Sequence, residues 1–288
     1  MNESGRFRLT GTPLECLTKL NLVINKKPTN AAIILFSIKD LLYNVHVGRF
    51  KTPAYIIDDK MIRGTLFDVV EDTMRYIISH LKVAFEFTGA TQRNEIFEYP
   101  ISALRELVLN AIVHRDYTNP TDIQIKIFDN SITIFNPGKL FGGITVEDLK
   151  TDHYQSRTRN KLIAEAFYLT KDIEKYGSGY IRVREAIIEY PTMKFNYNET
   201  GDGYLVTLNY AEQKTISDVG KNVGKKLSGS IAEVLAVIKN QPSLTIPEIA
   251  KITAYTERTV ERAISELKKK ELIIREGSRK DGYWEVLN

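Results

Sequence analysis

Residues 104–116 read Leu-Arg-Glu-Leu-Val-Leu-Asn-Ala-Ile-Val-His-Arg-Asp, a spacing that sets Glu106, Asn110 and His114 four residues apart. On a helix those three positions share one stripe. A carboxylate can polarise a water, and an amide oxygen suits a hard cation such as Mg²⁺. Leu104, Leu107, Val108, Ala111 and Ile112 fall at i, i+3, i+4, i+7 and i+8 and form a separate apolar stripe. The predicted helix therefore buries one face and presents chemistry on another. Taken alone, Glu106 and Asn110 also read as a solvated hydrogen-bonded i,i+4 pair.

The elements that must position these groups follow in sequence. Ile123–Phe128 alternates as a half-buried strand, Asp129-Asn130-Ser131 is a turn, and Ile132–Phe135 is the return strand. The return ends at Asn136-Pro137-Gly138, which places the Asn136 side chain at a strand end. A polar stretch, Asp152–Asn160, carries Arg157 and Arg159 and leads into a helix over Lys161–Leu169. Gly177-Ser178-Gly179 opens another helix, which runs to about Glu189. Glycines at a helix start expose backbone N–H groups beside the positive end of the dipole, a good cradle for phosphate. Met193–Asn198 and Tyr204–Asn209 form a last strand pair around Gly201-Asp202-Gly203. Each piece has a plain reading too: a turn at 136–138, a basic helix end at His114-Arg115-Asp116, surface arginines at 157 and 159.

The order is helix with Glu and Asn, hairpin, Asn-Pro-Gly, polar loop, Gly-Ser-Gly helix, hairpin. It resembles the GHKL ATPase superfamily. Ala103-Leu104-Arg105-Glu106…Asn110-Ala111…His114-Arg115-Asp116-Tyr117, Ile134-Phe135-Asn136-Pro137-Gly138 and Arg159-Asn160-Lys161-Leu162-Ile163-Ala164 are similar to its divergent ATP-binding regulators, the RecG-like C-terminal, Schlafen/AlbA-associated family. Pro28-Thr29-Asn30-Ala31-Ala32 and Ile62-Arg63-Gly64-Thr65-Leu66-Phe67 extend the likeness upstream. The resemblance implies a Bergerat-like two-layer α/β (α+β) sandwich that binds ATP and Mg²⁺. It implies Glu106 as general base or water-orienting carboxylate, Asn110 as the Mg²⁺ ligand and Asn136 at the position that reads the adenine amino group. Gly138 would admit the base, Gly177, Ser178 and Gly179 would flank the phosphates, His114 would line the pocket, and Arg157 and Arg159 would reach the γ-phosphate. Two departures stand out. Asn-Pro-Gly replaces Asp-x-Gly-x-Gly, and Lys161 replaces a proline. The chain is expected to start too late for the upstream AlbA-type domain.

Residues 211–229 are polar and rich in Gly and Lys, and read as a linker. Residues 230–288 then give a helix over Ile231–Lys239, a Thr245-Ile246-Pro247-Glu248 capping box, a turn at Thr253-Ala254-Tyr255, and a third helix capped by Thr256. Two strands, Leu272–Arg275 and Tyr283–Val286, close the segment. This is a winged-helix pattern. Arg258, Thr259 and Arg262 are placed to reach base edges, and Lys268, Arg279 and Lys280 to meet phosphates. Glu257 and Glu261 share the exposed face, and a winged helix used for protein contacts is the alternative.

Length and composition bound the rest. The chain has 288 residues, 43% hydrophobic and 26% charged, which suits about two globular domains. Of the net charge of +4, residues 212–288 carry +3, with 14 lysines and arginines against 11 acids. One cysteine, Cys16, excludes an internal disulfide, and no apolar run approaches a membrane span. A helicase motor needs a GxxxxGKS or GxxxxGKT loop, and none is present. The expected organisation is an α/β portion over 1–98 that packs on or belongs to the ATPase-like domain, a GHKL-like domain over 99–210, the linker, and the winged helix. The expected protein is a cytoplasmic, nucleotide-responsive transcriptional regulator that binds DNA as a homodimer, its 152–160 lid ordered by nucleotide. Alternatives are a GHKL ATPase in DNA processing or phage defence, and a scaffold that binds no nucleotide. Ala31–Ser37 reads as a strand, Tyr55–Asp58 as another, and Gly64–Val83 as a long amphipathic helix.

Overall fold

The computed structural model describes residues 4–38, 41, 43–86, 94–214, 229–269, 272–276 and 282–287. The chain divides into two compact units, Met1–Val219 and Gly220–Asn288.

The first unit opens with α1 (Pro13–Lys19), the short hairpin β1 (Val23–Ile24) and β2 (Lys27–Pro28), and α2 (Asn30–Phe36). The hairpin β3 (Val45–Thr52) and β4 (Tyr55–Ile62) and helix α3 (Leu66–Ser79) follow. The pair β5 (Val83–Glu86) and β6 (Asn94–Phe97) leads to α4 (Ile101–His114). Then come β7 (Ile123–Ile127), β8 (Ser131–Pro137), α5 (Val146–Leu149), α6 (Lys161–Leu169), α7 (Gly179–Ile187), β9 (Met193–Thr200) and β10 (Gly203–Tyr210).

A six-stranded mixed sheet in the order β4-β3-β7-β8-β10-β9 is the backbone of this unit. Only β3 and β7 run parallel, with Val45 opposite Ile123; the other neighbours are antiparallel. That parallel pair joins residues 45–62 to the same sheet as 123–210. Alternate residues of the inner strands (Ile123, Ile125, Ile127, Ile132, Ile134, Val206 and Leu208) are buried against α3, α4, α6 and α7 in one core. Period-2 alternation with one covered face is what a two-layer sandwich requires. Leu104, Leu107, Val108, Ala111 and Ile112 of α4 are all buried, as their spacing predicts. Leu109 and Val113 are buried as well, so α4 is a central helix with one narrow polar stripe.

Ala31–Ser37 is a correction: it lies in α2 and not in a strand. The Thr29 hydroxyl accepts from the Ala32 amide at 3.2 Å and caps the helix. Ala32 and Leu35, three apart, face the core while Ile33 and Phe36 stay exposed. The cap and the i,i+3 burial outweigh the β-branched content of Ile33-Ile34. Over Gly64–Val83, helix α3 is shorter than the apolar pattern, running from the Thr65 cap to Ser79.

The second unit contains α8 (Gly229–Asn240), α9 (Ile246–Thr253), α10 (Glu257–Lys269) and the antiparallel pair β11 (Ile273–Glu276) and β12 (Tyr283–Val286). Its own core gathers Val234, Ile238, Ile249, Val260, Ile264, Leu267, Ile273 and Trp284. The Thr245–Glu248 capping box starts α9, and Ala254 ends it in the left-handed region at φ 56°. Most of the expected linker, 215–228, lies outside the described residues. Gln213 before it is still bound to the first unit, its amide donating to the buried Glu98 at 2.8 Å.

Candidate functional site

The polar stripe of α4 faces a cleft bounded by β8, the 139–158 loops and the start of α7. Glu106, Asn110, His114, Asn136, Gly138, Arg157 and Gly177-Ser178-Gly179 all line it. The cleft encloses about 140 Å³.

Glu106 is held on both oxygens. Asn110 Nδ2 donates to Oε1 at 3.2 Å, and Arg182 Nη2 donates to Oε2 at 2.7 Å. The side chain is only 11% exposed. Asn110 turns its nitrogen to Glu106, which leaves its oxygen as the acceptor a hard cation would take. A Cβ on Gly179 would meet the Glu106 carboxylate and push it aside. Arg182, absent from the sequence reading, also donates through Nη1 to Ser178 Oγ at 3.0 Å. Its signal was the i,i+4 spacing from Ser178, which sets it over the start of α7.

Asn136, next to last in β8, is 8% exposed, and its Oδ1 has no hydrogen-bond partner. A buried acceptor without a donor costs about 1–3 kcal/mol, and such a group calls for a ligand or water. His114 ends α4 beside it. Burial and the nearby Arg159 guanidinium push its imidazole down from 6.5 to about 4, so it is neutral near pH 7.

The rest of the His-Arg-Asp-Tyr run is structural. Arg115 is 1% exposed and donates to the Asn44 and Thr121 carbonyls at 3.1 and 2.7 Å. Asp116 accepts from the Thr118 amide and hydroxyl. Those bonds lower its carboxyl. Tyr117 donates to the Ile112 carbonyl. Gly138 sits at φ +103°, and a Cβ there would lie 2.7 Å from Asp116 Cβ, so close packing sets this glycine.

The two loop arginines part company. Arg157 is exposed and lines the cleft. Arg159 does not line it; it donates to the Lys139 carbonyl at 2.8 Å and lies 3.4 Å from Asp116. The loop also touches the glycine turn. The Tyr154 hydroxyl accepts from the Tyr180 amide at 3.2 Å, and a Cβ on Gly177 would meet the Ser156 amide at 3.0 Å. Tyr154 thus covers part of the α7 N-terminus.

In the second unit Val260, Ala263, Ile264 and Leu267 of α10 are buried, while Arg258, Glu261, Arg262 and Ser265 are exposed. Among the described residues, neither Arg258 nor Arg262 makes an ion pair. Thr259 is half-buried, its hydroxyl 2.9 Å from that of Thr256. Lys268 rests 5.3 Å over the Trp284 ring. Arg279 and Lys280 lie outside the described residues. Among those residues no cluster of three or more His, Cys, Asp or Glu could hold a metal, and no helix is long and apolar enough to cross a membrane.

Residues 121–208 match the family described as putative ATP-dependent DNA helicase recG C-terminal, and residues 227–282 match the MarR family. The first match spans β7 to β10 and starts after α4. Among solved structures, the chain is similar to the DIP2311 protein from Corynebacterium diphtheriae, with a TM-score of 0.60 and 19% identity. That likeness, which concerns the fold alone, covers 96% of this chain and 57% of that one. No curated protein matches. The chain carries a RecG C-terminal-like HATPase domain followed by a MarR-type winged-helix domain.

Proposed function

We propose that the protein is a nucleotide-responsive, DNA-binding transcriptional regulator that works in the cytoplasm as a homodimer. The HATPase-like unit takes ATP with Mg²⁺, and the winged helix takes DNA. The observation that carries the nucleotide half is the buried, unpartnered Asn136 Oδ1 in a cleft shared with Asn110 and the Gly177–Gly179 turn. An exocyclic amino group supplies the donor that this oxygen lacks. The Asn110 oxygen would hold the cation, and the α7 turn and Arg157 would hold phosphates. Bound Mg²⁺ would neutralise phosphate charge there.

The reading is of binding rather than turnover, with both Glu106 oxygens engaged in this arrangement. Helicase activity does not come across from the matched family's name, since no GxxxxGKS or GxxxxGKT loop is present. DNA binding rests on Arg258 and Arg262, exposed on α10 without ion pairs among the described residues. A single winged helix reads a short half-site, so two copies are needed for a tight specific complex.

The test is fluorescence anisotropy of labelled duplex DNA pools with the full chain, with and without ATP–Mg²⁺ at fixed salt. The reading expects a shift of at least several-fold in DNA affinity with ATP–Mg²⁺ and none with Mg²⁺ alone. Identical curves would remove nucleotide responsiveness, and no binding to any duplex would remove the regulator.

A further inference from the structure

Arg182 does not itself line the cleft but ties together two residues that do, Ser178 and Glu106. One end of its guanidinium holds Ser178 Oγ at the glycine turn, and the other holds the Glu106 carboxylate at 2.7 Å. Its side chain is 37% exposed and Glu106 is 11% exposed, so the cation has solvent on one side while the carboxylate is nearly enclosed. An anion seated at the α7 start meets this guanidinium within the reach of its own side chain. Guanidinium binds phosphate oxygens through two parallel N–H donors, and such pairs are among the stronger polar contacts. If Arg182 turns away, Glu106 keeps a charge in a half-closed site with only Asn110 as donor. The two anions therefore compete for one cation. The unpartnered Asn136 Oδ1 in the same cleft is an independent sign that a ligand belongs there.

We propose that Arg182 is a phosphate-sensing switch. It holds Glu106 in the arrangement seen here, and it turns to the terminal phosphate of a bound nucleoside triphosphate, leaving Glu106 to Asn110 and the cation. The inference rests on the nucleotide reading above and adds to it a discrimination between triphosphate and monophosphate. The proposed discrimination follows from ligand chemistry: a triphosphate brings a terminal phosphate for the guanidinium, and a monophosphate does not.

The experiment is calorimetric titration of ATP and of AMP, each with Mg²⁺, into the full chain. Wild type, Arg182→Gln, Arg182→Lys, Glu106→Gln and the Arg182→Gln/Glu106→Gln double variant are compared, each first checked by its melting curve. Arg182→Gln loses about tenfold in ATP affinity, the weight of one charge-assisted pair, and AMP changes less than about twofold. Arg182→Lys, which keeps the charge without the fork, falls between and serves if the glutamine variant is unstable. The sign of the coupling decides the mechanism. With competition, Glu106→Gln raises ATP affinity several-fold in wild type, and that gain shrinks in the Arg182→Gln background. If the pair stays closed on binding, Glu106→Gln gains little in wild type and more in Arg182→Gln, where the bare carboxylate repels phosphate. That second pattern overturns the switch, as does equal ATP binding by wild type and Arg182→Gln. Both of those results leave nucleotide binding itself in place. Failure of wild type to bind any adenine nucleotide overturns both proposals.

Discussion

In the first unit several candidate groups are committed to internal partners, Glu106 to Asn110 and Arg182, Arg159 to Asp116 and Tyr154 to the α7 backbone, while Asn136 Oδ1 has none. In the second unit Arg258 and Arg262 stand in solvent on a regular helix face. The first arrangement must break contacts to bind, so its ligand competes with internal partners and affinity is linked to conformation. The second meets its ligand as it stands, and its affinity follows charge and salt. On the proposed reading, a nucleotide site of the first kind is suited to switching, and a DNA face of the second kind to being switched.

The comparison can be broken first at its exposed side. The double variant Arg258→Ala/Arg262→Ala should weaken DNA binding about 100-fold. It should reduce the slope of log K against log salt by close to 2, with ATP binding unchanged. An unchanged salt slope in the anisotropy titration would place the DNA face elsewhere. Next is the buried side. Asn136→Leu removes the unpartnered acceptor and should cost ATP binding about 10- to 50-fold while leaving DNA binding alone. The leucine also relieves an unsatisfied group, so its melting temperature should hold or rise.

Protonation sharpens the contrast further. His114 has a folded pKa of about 4, below its ordinary 6.5, so the unfolded chain binds more protons between those values. Stability tied to His114 is therefore present above pH 6.5 and is lost as pH falls toward 4, by about 2 kcal/mol for this half-buried ring. Urea unfolding from pH 7 to 4 should show that loss relative to His114→Asn; parallel curves would deny the neutral imidazole. The smallest effect is local to the second unit. Thr245→Ala removes the α9 capping box and should cost about 1 kcal/mol in that unit's melting transition, with ATP affinity untouched.

The same contrast explains what the sequence could convey. The α10 face was legible because a period of 3.6 separates Val260, Ile264 and Leu267 from Arg258 and Arg262 within one segment. Strands β7 to β10 and the α4 stripe were legible for the same local reason, whereas β3 was not read as a strand. Partnerships were not. Arg182 to Glu106 spans 76 residues and Arg115 to Asn44 spans 71, and no local pattern encodes such contacts. The His114–Tyr117 run looked chemical as a block, yet His114 reaches the cleft while Arg115 and Tyr117 brace the backbone. Arg157 and Arg159 look equivalent two residues apart, and only the fold sends one into the cleft and the other to Asp116. The α2 segment misled because Thr29 as a cap carries more weight than the branched residues after it.

The central claim is that the cleft around Asn136 takes an adenine nucleotide. Calorimetric titration of ATP–Mg²⁺ into the full chain, with Asn136→Leu alongside, tests it most directly. The account predicts saturable micromolar binding at one site per chain, weakened at least tenfold in the variant. Absence of binding by the folded wild type, or equal binding by both proteins, would contradict it.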